Sequence, residues 1–339
     1  MAKMIKKYDF NQCVFYKLKS KNKLAKYLNL EVSQLKQIEA MIKYRTFNHK
    51  QEGKKDRLIT APNDDLKRVQ KRVLQLLSRL ERPSWLISGE RGKSYIDNAK
   101  THQKSKYVLT IDIRSFYGNT IREYVYLFWR DEMMMSNDTA EILTNILTYN
   151  GAIPTGSPAS QLTAYYAYRN MFHEIQALAH EGHGCIFTLY VDDMTFSKET
   201  PFSKDQLRNG VDILLRKYGH KPSYRKMRYY SKNKNKPITG VVLSKDHTLL
   251  VSNSLQNRIK RDSFSVLKGG QQLGIPELQS FKGRLQAAQI VNPRVFPELT
   301  KFTNEAMKSV LAIDTNNIVA DNISNKPSTN YELMRKSRG

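Results

Sequence analysis

The spacing of apolar residues predicts helices over several stretches of the chain. Residues 18–45 carry apolar side chains at helical intervals, and a helix-start signal at 30–33 predicts a break within them. An apolar stripe flanked by lysines and arginines predicts a second helix over Asp64–Leu80. A third helix is predicted from Ser160 to about Leu178.

Short runs of apolar and β-branched residues predict strands between these helices. One run covers residues 107–113 and has an aspartate near its end. Two more, residues 185–191 and 194–197, are separated by two adjacent aspartates, which predicts a hairpin with acids at its tip. A further strand is predicted over Ile238–Leu243, and the chain from there to about Lys308 has a mostly helical pattern.

The charge balance favours a polyanionic partner. The chain has 56 Lys and Arg against 31 Asp and Glu, a formal charge of +25 and a pI near 9.8. A large net positive charge repels itself and opposes folding unless a partner neutralises it. Nucleic acid is therefore the expected partner. A basic surface that serves only solubility is the alternative. No apolar run approaches the ~20 residues that span a bilayer, so no membrane partner is expected.

The cysteines and the first residues bear on the compartment. Cys13 and Cys185 provide neither a disulfide framework nor a paired-cysteine metal site. Residues Met1–Lys7 are basic but lack the apolar stretch of a signal peptide. We therefore expect a protein of the reducing cytoplasm.

Three aspartates are the candidates for catalytic chemistry. Asp192 and Asp193 are adjacent, and such like charges raise each other's pKa unless a cation lies beside them. A solvated turn is the alternative, because Asp is common in turns. Asp112 ends a separate apolar strand, which a shared sheet would bring to the hairpin. Carboxylates without His or Cys suit Mg²⁺, and two ions about 3.5–4 Å apart would activate an attacking hydroxyl and stabilise a leaving pyrophosphate.

Three segments, in this order along the chain, resemble the motifs of reverse transcriptases. Asp112–Tyr117 resembles their first palm motif, Ile153–Ser160 resembles the PQGxPxS loop, and Tyr190–Asp193 resembles the YxDD box. The resemblance covers roughly residues 54–245. It implies an RNA-directed DNA polymerase, a nucleotidyltransferase that uses two Mg²⁺ ions.

The resemblance assigns roles to residues around the carboxylates. The implied metal ligands are the side chains of Asp112, Asp192 and Asp193 and the backbone carbonyl of Ile113. Tyr117 corresponds to the aromatic residue that lies under the incoming sugar. A bulky ring there clashes with a ribose 2′-OH, so the implied substrates are dNTPs. A core aromatic is the alternative interpretation of Tyr117.

Other residues are implied to contact the incoming nucleotide. Arg57, with Lys55 behind it, corresponds to the fingers segment that clamps the triphosphate, and Arg suits bidentate phosphate contact. A solvated basic hairpin is the alternative. Gly156 allows a close approach of the backbone to the nucleotide, whereas Thr155 stands where the family has a glutamine that reaches the nucleotide. Lys226 loosely matches a lysine proposed to protonate pyrophosphate.

Two short signatures resemble those of bacterial retron reverse transcriptases. Asn98–His102 matches their NAxxH signature, and Ile238–Gly240 resembles their VTG triplet with one conservative change. The resemblance implies a cognate structured noncoding RNA, priming from a 2′-OH, and a branched RNA–DNA product (msDNA). It also implies antiphage defence beside a separate effector protein. Asn98 and His102 are then candidates for RNA binding, with a hydrogen-bonded turn as the alternative.

Further candidates for RNA contact lie toward the end of the chain. Residues 224–236 interleave aromatic and cationic side chains, which suits base stacking and phosphate contact, although a solvated loop is the alternative. Cations on the helices that follow would let a thumb grip a duplex. These candidates are Tyr224, Arg225, Arg228, Arg258, Lys260, Arg261 and Arg284.

The expected architecture is an α+β right-hand polymerase with fingers, an antiparallel palm sheet and a helical thumb. Residues past Asp314 are polar and are expected to be poorly ordered. Another bacterial reverse transcriptase, of the group II intron or diversity-generating type, and a noncatalytic RNA-binding scaffold are the alternatives. The expected divisions are an N-terminal helical extension (1–50), fingers (51–105 with part of 145–165), palm (106–245), thumb and RNA-binding region (246–315) and polar tail (316–339).

Overall fold

The computed structural model describes residues 6–50, 56–269 and 274–324, with the side chains of 269 and 311–324 left out. By its internal contacts the chain divides into two compact units. The first consists of Met1–Thr239 with Leu243–Thr248, and the second of Gly240–Val242 with Leu249–Gly339.

The first unit mixes helices and strands. Its helices are α1 (Lys21–Leu28), α2 (Val32–Lys36), α3 (Ile38–Met41), α4 (Asp64–Leu77), α5 (Tyr95–Thr101), α6 (Phe116–Asn119), α7 (Arg122–Leu127), α8 (Asn137–Leu147), α9 (Ser160–Ala167), α10 (Arg169–Ala177) and α11 (Lys204–Lys217). Its strands are β1 (Tyr44–His49), β2 (Arg57–Pro62), β3 (Tyr107–Asp112), β4 (Ile186–Tyr190), β5 (Asp193–Lys198), β6 (Arg228–Tyr230) and β7 (Lys236–Ile238). The remaining elements are β8 (Val241–Leu243), β9 (Leu249–Val251), α12 (Asn253–Gly269), α13 (Ile275–Val291) and α14 (Pro297–Ser324).

Four antiparallel strands form the central sheet, in the order β4-β5-β3-β6. The interior strand β3 is the predicted apolar run, and its Val108, Leu109 and Ile111 are buried. Strands β4 and β5 form the predicted hairpin. Because β3 pairs with β5 in a fixed register, Asp112 at the end of β3 lies opposite Asp193 of the hairpin.

The hairpin β1–β2 corrects one prediction. Helical structure after residue 18 ends at Met41, and Tyr44–His49, placed by the sequence in a helical extension, forms a strand that pairs with Arg57–Pro62. Tyr44, Thr46 and Phe47 are good strand formers, and the partner strand decides the local structure. The predicted break near residue 30 is confirmed, since α1 ends at Leu28 and a capping box begins α2.

Two other predicted elements are interrupted. The helix predicted from Ser160 breaks at Tyr168, which separates α9 from α10. The strand predicted over Ile238–Leu243 is split because Thr239 (φ 44°) and Gly240 (φ 90°) adopt left-handed backbone, which no strand accommodates.

Helix α4 confirms its prediction. The side chain of Asn63 accepts a hydrogen bond from the Leu66 amide at 3.1 Å and so caps the helix. The apolar stripe from Leu66 to Leu77 is buried in the core, whereas the lysines and arginines beside it face outward. The helix therefore presents a basic face to solvent.

The second unit has its own core, formed by α12, α13 and α14. Ile259, Phe281 and Leu285 are buried there with Val251. The prediction of a mostly helical chain to about residue 308 is confirmed. The backbone of α14 continues to Ser324, past the predicted start of the polar tail, and residues 325–339 lie outside the described part. None of the helices in the described ranges has the length and apolarity needed to cross a membrane.

Candidate active site

The strand register brings the three predicted aspartates to one end of the sheet. Asp112, the last residue of β3, lies directly opposite Asp193, the first residue of β5. Asp192 occupies the two-residue turn between β4 and β5, and its carbonyl accepts a hydrogen bond from the Ile113 amide at 3.1 Å. The predicted proximity of the acids is confirmed, although only Asp192 sits at the tip of the hairpin.

The turn that carries Asp192 has a strained backbone. Val191 has a φ of 61°, which is unfavourable for a β-branched residue and costs about 1–3 kcal/mol. Its amide donates a 2.7 Å hydrogen bond to the hydroxyl of Ser88, which is itself buried. Sequence reasoning missed Ser88, because nothing near residue 88 indicates a partner about a hundred residues away.

The carboxylates lie in a poorly solvated, crowded environment. Burial, and then the charges of Asp192 and Asp112, raise the pKa of Asp193 to about 6. Burial and the Asp112 charge also raise the pKa of Asp192. Each ionised carboxylate therefore destabilises its neighbours, and a cation placed among them would relieve that repulsion.

A lysine provides a cation on one side of this cluster. The Lys226 ammonium donates a 2.8 Å hydrogen bond to Oδ2 of Asp112, and this contact raises the lysine pKa. The backbone around it is fixed, because the Ser223 amide donates to the Asp112 carbonyl at 2.7 Å. The structure therefore places Lys226 beside the first carboxylate, whereas its predicted role toward pyrophosphate stays a prediction.

The donor set suits a hard divalent ion only in part. In the part of the chain that the structure describes, no three His, Cys, Asp or Glu side chains are arranged to hold a metal by themselves. The side-chain donors at this end of the sheet are carboxylate oxygens, and Mg²⁺ commonly completes its coordination with water and substrate phosphates. The carboxylate oxygens are thus of the kind that a hard divalent ion takes as ligands, and further ligands would have to come from elsewhere.

Tyr117 and Arg57 lie near enough to Asp192 for the charges to affect one another. Tyr117 is half-buried on α6, and burial together with the Asp192 charge raises the pKa of its hydroxyl to about 12. The Arg57 charge opposes that rise and also opposes the rise in the pKa of Asp192. Arg57 is exposed at the start of β2, on the β1–β2 hairpin. The predicted contribution of Lys55 lies outside the described residues.

Thr155 and Gly156 connect their loop to the β1–β2 hairpin by hydrogen bonds. The Thr155 hydroxyl accepts a hydrogen bond from the Thr60 amide at 3.0 Å and donates to the Leu58 carbonyl at 3.2 Å. The Gly156 amide donates to the Thr60 carbonyl at 2.9 Å. These contacts give the threonine, which stands in place of the family's glutamine, a role in holding β2.

Gly156 has no room for a side chain. A Cβ there would lie 2.7 Å from the Thr60 carbonyl oxygen and 2.9 Å from the Cα of Ala61. We expect Gly156→Ala to destabilise the protein by about 2–4 kcal/mol, because backbone atoms must move apart and hydrogen bonds are lost. Thermal unfolding measures this change. Gly118→Ala is the matched control, since a Cβ at residue 118 meets no atom within 4 Å. Equal unfolding temperatures for the two variants would contradict the prediction.

The prediction that Asn98 and His102 bind RNA directly is wrong for their side chains, because both are fully buried. The His102 ring lies between the hydroxyls of Ser197 and Thr188, at 2.6 and 2.7 Å. Burial lowers the pKa of His102 to about 3, so the ring is neutral at physiological pH. His102 joins α5 to β4 and β5, in line with the alternative of a hydrogen-bonded structural element.

Asn98 links the two retron-like signatures. Its amide donates a 3.0 Å hydrogen bond to the hydroxyl of Thr239, which in turn contacts the Tyr95 carbonyl at 3.3 Å. Thr239 is one of the two residues with left-handed backbone in the Ile238–Gly240 triplet. The asparagine therefore holds this turn in place. The sequence gives no indication of the contact between Asn98 and Thr239, because the two residues are 141 positions apart.

The other candidates for RNA contact differ in availability. The Tyr224 hydroxyl donates to Asp212 at 2.6 Å, and the Arg228 guanidinium binds the backbone carbonyls of Arg225 and Met227. Both side chains thus have intramolecular roles as well as exposed surface. In the second unit, Arg258 and Lys260 are exposed. Arg225 is exposed as well. Arg261 and Arg284 contact Asp262 at 3.2 and 2.9 Å.

Comparisons with known proteins agree with the motifs. The profile of the family described as reverse transcriptase (RNA-dependent DNA polymerase) matches residues 48–243, more than half of the chain. The Salmonella heidelberg retron Se72 reverse transcriptase is 25% identical over 53% of this chain and 49% of its own length. The Escherichia coli retron Ec86 and Ec83 reverse transcriptases are 25% and 24% identical, over 65% and 75% of this chain and 69% and 85% of theirs. The chain thus spans about half of the first relative's length.

Solved structures give weaker likenesses. A foamy viral protease-reverse transcriptase has a TM-score of 0.43 and 15% identity, covering 91% of this chain and 50% of its own. A Candida tropicalis telomerase has a TM-score of 0.46 and 13% identity, covering 63% and 55%. At these TM-scores, neither likeness supports a conclusion about function.

The family assignment rests on the profile match and on the geometry together. The matched residues 48–243 include β3, the β4–β5 hairpin and all three aspartates. The predicted likeness to retron enzymes is confirmed by the curated relatives, and the mixed helices and antiparallel sheet agree with the expected right-hand polymerase fold. The chain belongs to the reverse transcriptase family.

Proposed function

We propose that this chain is an RNA-directed DNA polymerase of the retron type. The observation that carries the proposal is the register of β3 with β5, which sets Asp112 opposite Asp193 with Asp192 in the adjoining turn. Structural roles do not require three repelling carboxylates at one end of a sheet, whereas nucleotidyl transfer with divalent ions does. In the reaction, a primer hydroxyl attacks the α-phosphorus of a dNTP and pyrophosphate leaves.

The residues around the carboxylates supply the other requirements. Asp112, Asp192, Asp193 and the Ile113 carbonyl would hold two Mg²⁺ ions. When bound, these ions lower the pKa of the attacking hydroxyl and neutralise charge on the leaving group. Arg57 approaches the triphosphate from β2, and the Lys226 ammonium is placed to give a proton to pyrophosphate. The Tyr117 ring excludes a ribose 2′-OH.

The loop at Thr155 and Gly156 acts through the hairpin. Because its hydrogen bonds are made to Leu58 and Thr60, it sets the position of the strand that begins at Arg57. We infer that this loop contributes to nucleotide binding by positioning β2, in addition to any direct contact. Asn98 and His102 likewise contribute by positioning other segments. From within the core, Asn98 supports the turn at Thr239 and His102 supports the central sheet.

The retron assignment sets the substrate and the partners. The chain would copy part of a cognate noncoding RNA from a 2′-OH primer, giving a branched RNA–DNA hybrid, in the cytoplasm. Exposed cations, Arg225, Arg258 and Lys260 among them, would contact RNA phosphates. A role in antiphage defence beside an effector protein is part of the proposal. It is supported by the likeness to curated retron enzymes and by the two signatures.

The nucleic acid bound to the protein purified from its native host tests this assignment. We expect one RNA species joined to DNA, and a 2′–5′ debranching enzyme should release that DNA with a shift in electrophoretic mobility. The Asp192→Asn/Asp193→Asn variant, as control, should retain RNA without DNA. DNA without a 2′–5′ branch would instead indicate another bacterial reverse transcriptase. RNA alone from both proteins, with no primer extension by either, would favour a noncatalytic scaffold.

A further inference from the structure

A basic cleft lies between the first helices and α4, among residues with no role in the proposed catalysis. It has a volume of about 360 Å³. The turn at residues 28–30, which follows α1, forms one wall, and the outer face of α4 forms the other. Its polar lining consists of four cations, two amides and one carboxylate: Lys67, Arg68, Lys71, Arg72, Asn29, Gln75 and Asp64.

The cations of this cleft are crowded on one helix. Lys67 and Lys71 are four residues apart, as are Arg68 and Arg72, so each pair shares one side of α4. Like charges at this spacing destabilise a helix by about 0.2–0.5 kcal/mol per pair. A helix that needed only a solvated surface would gain stability from acids at these positions, so the crowding favours an anionic ligand.

The two arginines have partners, whereas the lysines do not. Arg68 binds Asp65 at 2.7 Å, and Arg72 donates a 2.9 Å hydrogen bond to the Tyr27 carbonyl. Among the described residues, neither the Lys67 nor the Lys71 ammonium has an ion pair or hydrogen bond. Both lysines are exposed. The Arg72 contact fixes α1 against α4 and thereby fixes the shape of the cleft.

The cleft combines features that suit a nucleotide unit. The ammonium groups can neutralise phosphates, while the side chains of Asn29 and Gln75 can hydrogen-bond a base or sugar. Asn29 itself adopts left-handed backbone (φ 57°), so the turn that forms this wall has a defined conformation. Leu30, which is half-buried, supplies apolar surface in the same cleft.

We propose that this cleft binds the backbone of RNA outside the catalytic site, with Lys67 and Lys71 contacting consecutive phosphates. This rests on the proposed function, since the polymerase must hold an RNA longer than the part being copied. The site adds affinity for that RNA without taking part in nucleotidyl transfer.

The test compares RNA binding and DNA synthesis for Lys67→Gln/Lys71→Gln in the full chain. The binding probe is a fluorescent 40-nucleotide RNA with one hairpin and a single-stranded tail, titrated at 50–300 mM salt. Two lost phosphate contacts should lower the slope of log affinity against log salt by about 1.4–1.8. Primer extension on a short primer–template with saturating template should keep its maximal rate.

Lys204→Gln/Arg208→Gln is the matched control, because it removes two exposed charges at the same spacing from α11, another helix of 14 residues. An unchanged salt slope for the cleft variant would overturn the proposal, and it is also the result expected if an acidic protein occupies the cleft. An equal change of slope in the control variant would overturn the proposal as well. Absence of primer extension by the unmodified chain would count against the polymerase assignment, and the binding comparison would still decide the cleft.

Discussion

The double variant Asp192→Asn/Asp193→Asn will lose primer extension by about 10³-fold or more, because the ligands for the catalytic ions are removed. Its fold should nevertheless be at least as stable. Burial raises the pKa of both carboxyls, the charge of Asp112 raises each further, and the charge of Asp192 adds to the rise for Asp193, so neutral amides of the same shape relieve an unfavourable charge. Steady-state extension on an RNA template and chemical denaturation without divalent ions measure the two effects.

The stability gain has a defined pH dependence. The folded-state pKa of Asp193 is about 6, above its ordinary value of 3.8, so ionisation is harder in the folded chain than in the unfolded one. The free energy of unfolding of the unmodified protein therefore falls as pH rises from about 4 to 6 and Asp193 ionises, by about 3 kcal/mol at most. The advantage of the variant should be small at pH 4 and complete above pH 6.

Asp64→Asn/Asp65→Asn provides the control for adjacent aspartates. These residues are exposed in the first turn of α4, so the change should cost up to about 1 kcal/mol of stability and leave extension intact. Full activity in the Asp192→Asn/Asp193→Asn variant would refute the catalytic assignment. A large fall in its stability would mean that the acids are needed for folding.

Replacing Tyr117 by Val should let the enzyme insert ribonucleotides. The ring lies near enough to Asp192 and Arg57 to feel their charges, so under the proposed function its removal would open room beside the incoming sugar. We expect the ratio of kcat/KM for dGTP to that for GTP to fall on the order of 10²-fold, chiefly through faster use of GTP.

Tyr117→Phe keeps the ring and removes only the hydroxyl, which makes it the matched control. Discrimination should then stay within about threefold of the unmodified enzyme, because the exclusion is steric. If Tyr117→Val discriminates as well as the parent, the ring is a core aromatic. If Tyr117→Phe loses discrimination equally, the hydroxyl and its environment matter more than its bulk.

The sequence allowed prediction of those features that local pattern determines. The apolar run of β3 and the two adjacent aspartates at the turn of the β4–β5 hairpin were recognisable, because strand pattern and charge are properties of neighbouring residues. The opposition of Asp112 and Asp193 was not predictable in detail, since register depends on pairing between distant segments. Ser88, which holds the strained turn, gave no local signal for the same reason.

Burial explains the main error in the candidate site. Asn98 and His102 are polar residues in a family signature, and such residues suggest a surface that binds RNA. Their partners, Thr239, Thr188 and Ser197, are supplied by segments 86 to 141 residues away. Only the folded chain shows that these partners satisfy the polar groups inside the core. Strand β1 illustrates the same limit for secondary structure, because its partner strand overrides the helical pattern before it.

The hydrogen bonds from Thr155 and Gly156 to β2 have a mechanical consequence. A hairpin attached in this way cannot swing as an independent flap, because Thr60 and Leu58 would have to release their partners first. Closure over a nucleotide would therefore carry the loop that precedes α9 along with the hairpin. The two segments would move as one unit, and the hydrogen-exchange rates of the Thr60 and Gly156 amides should rise together or not at all.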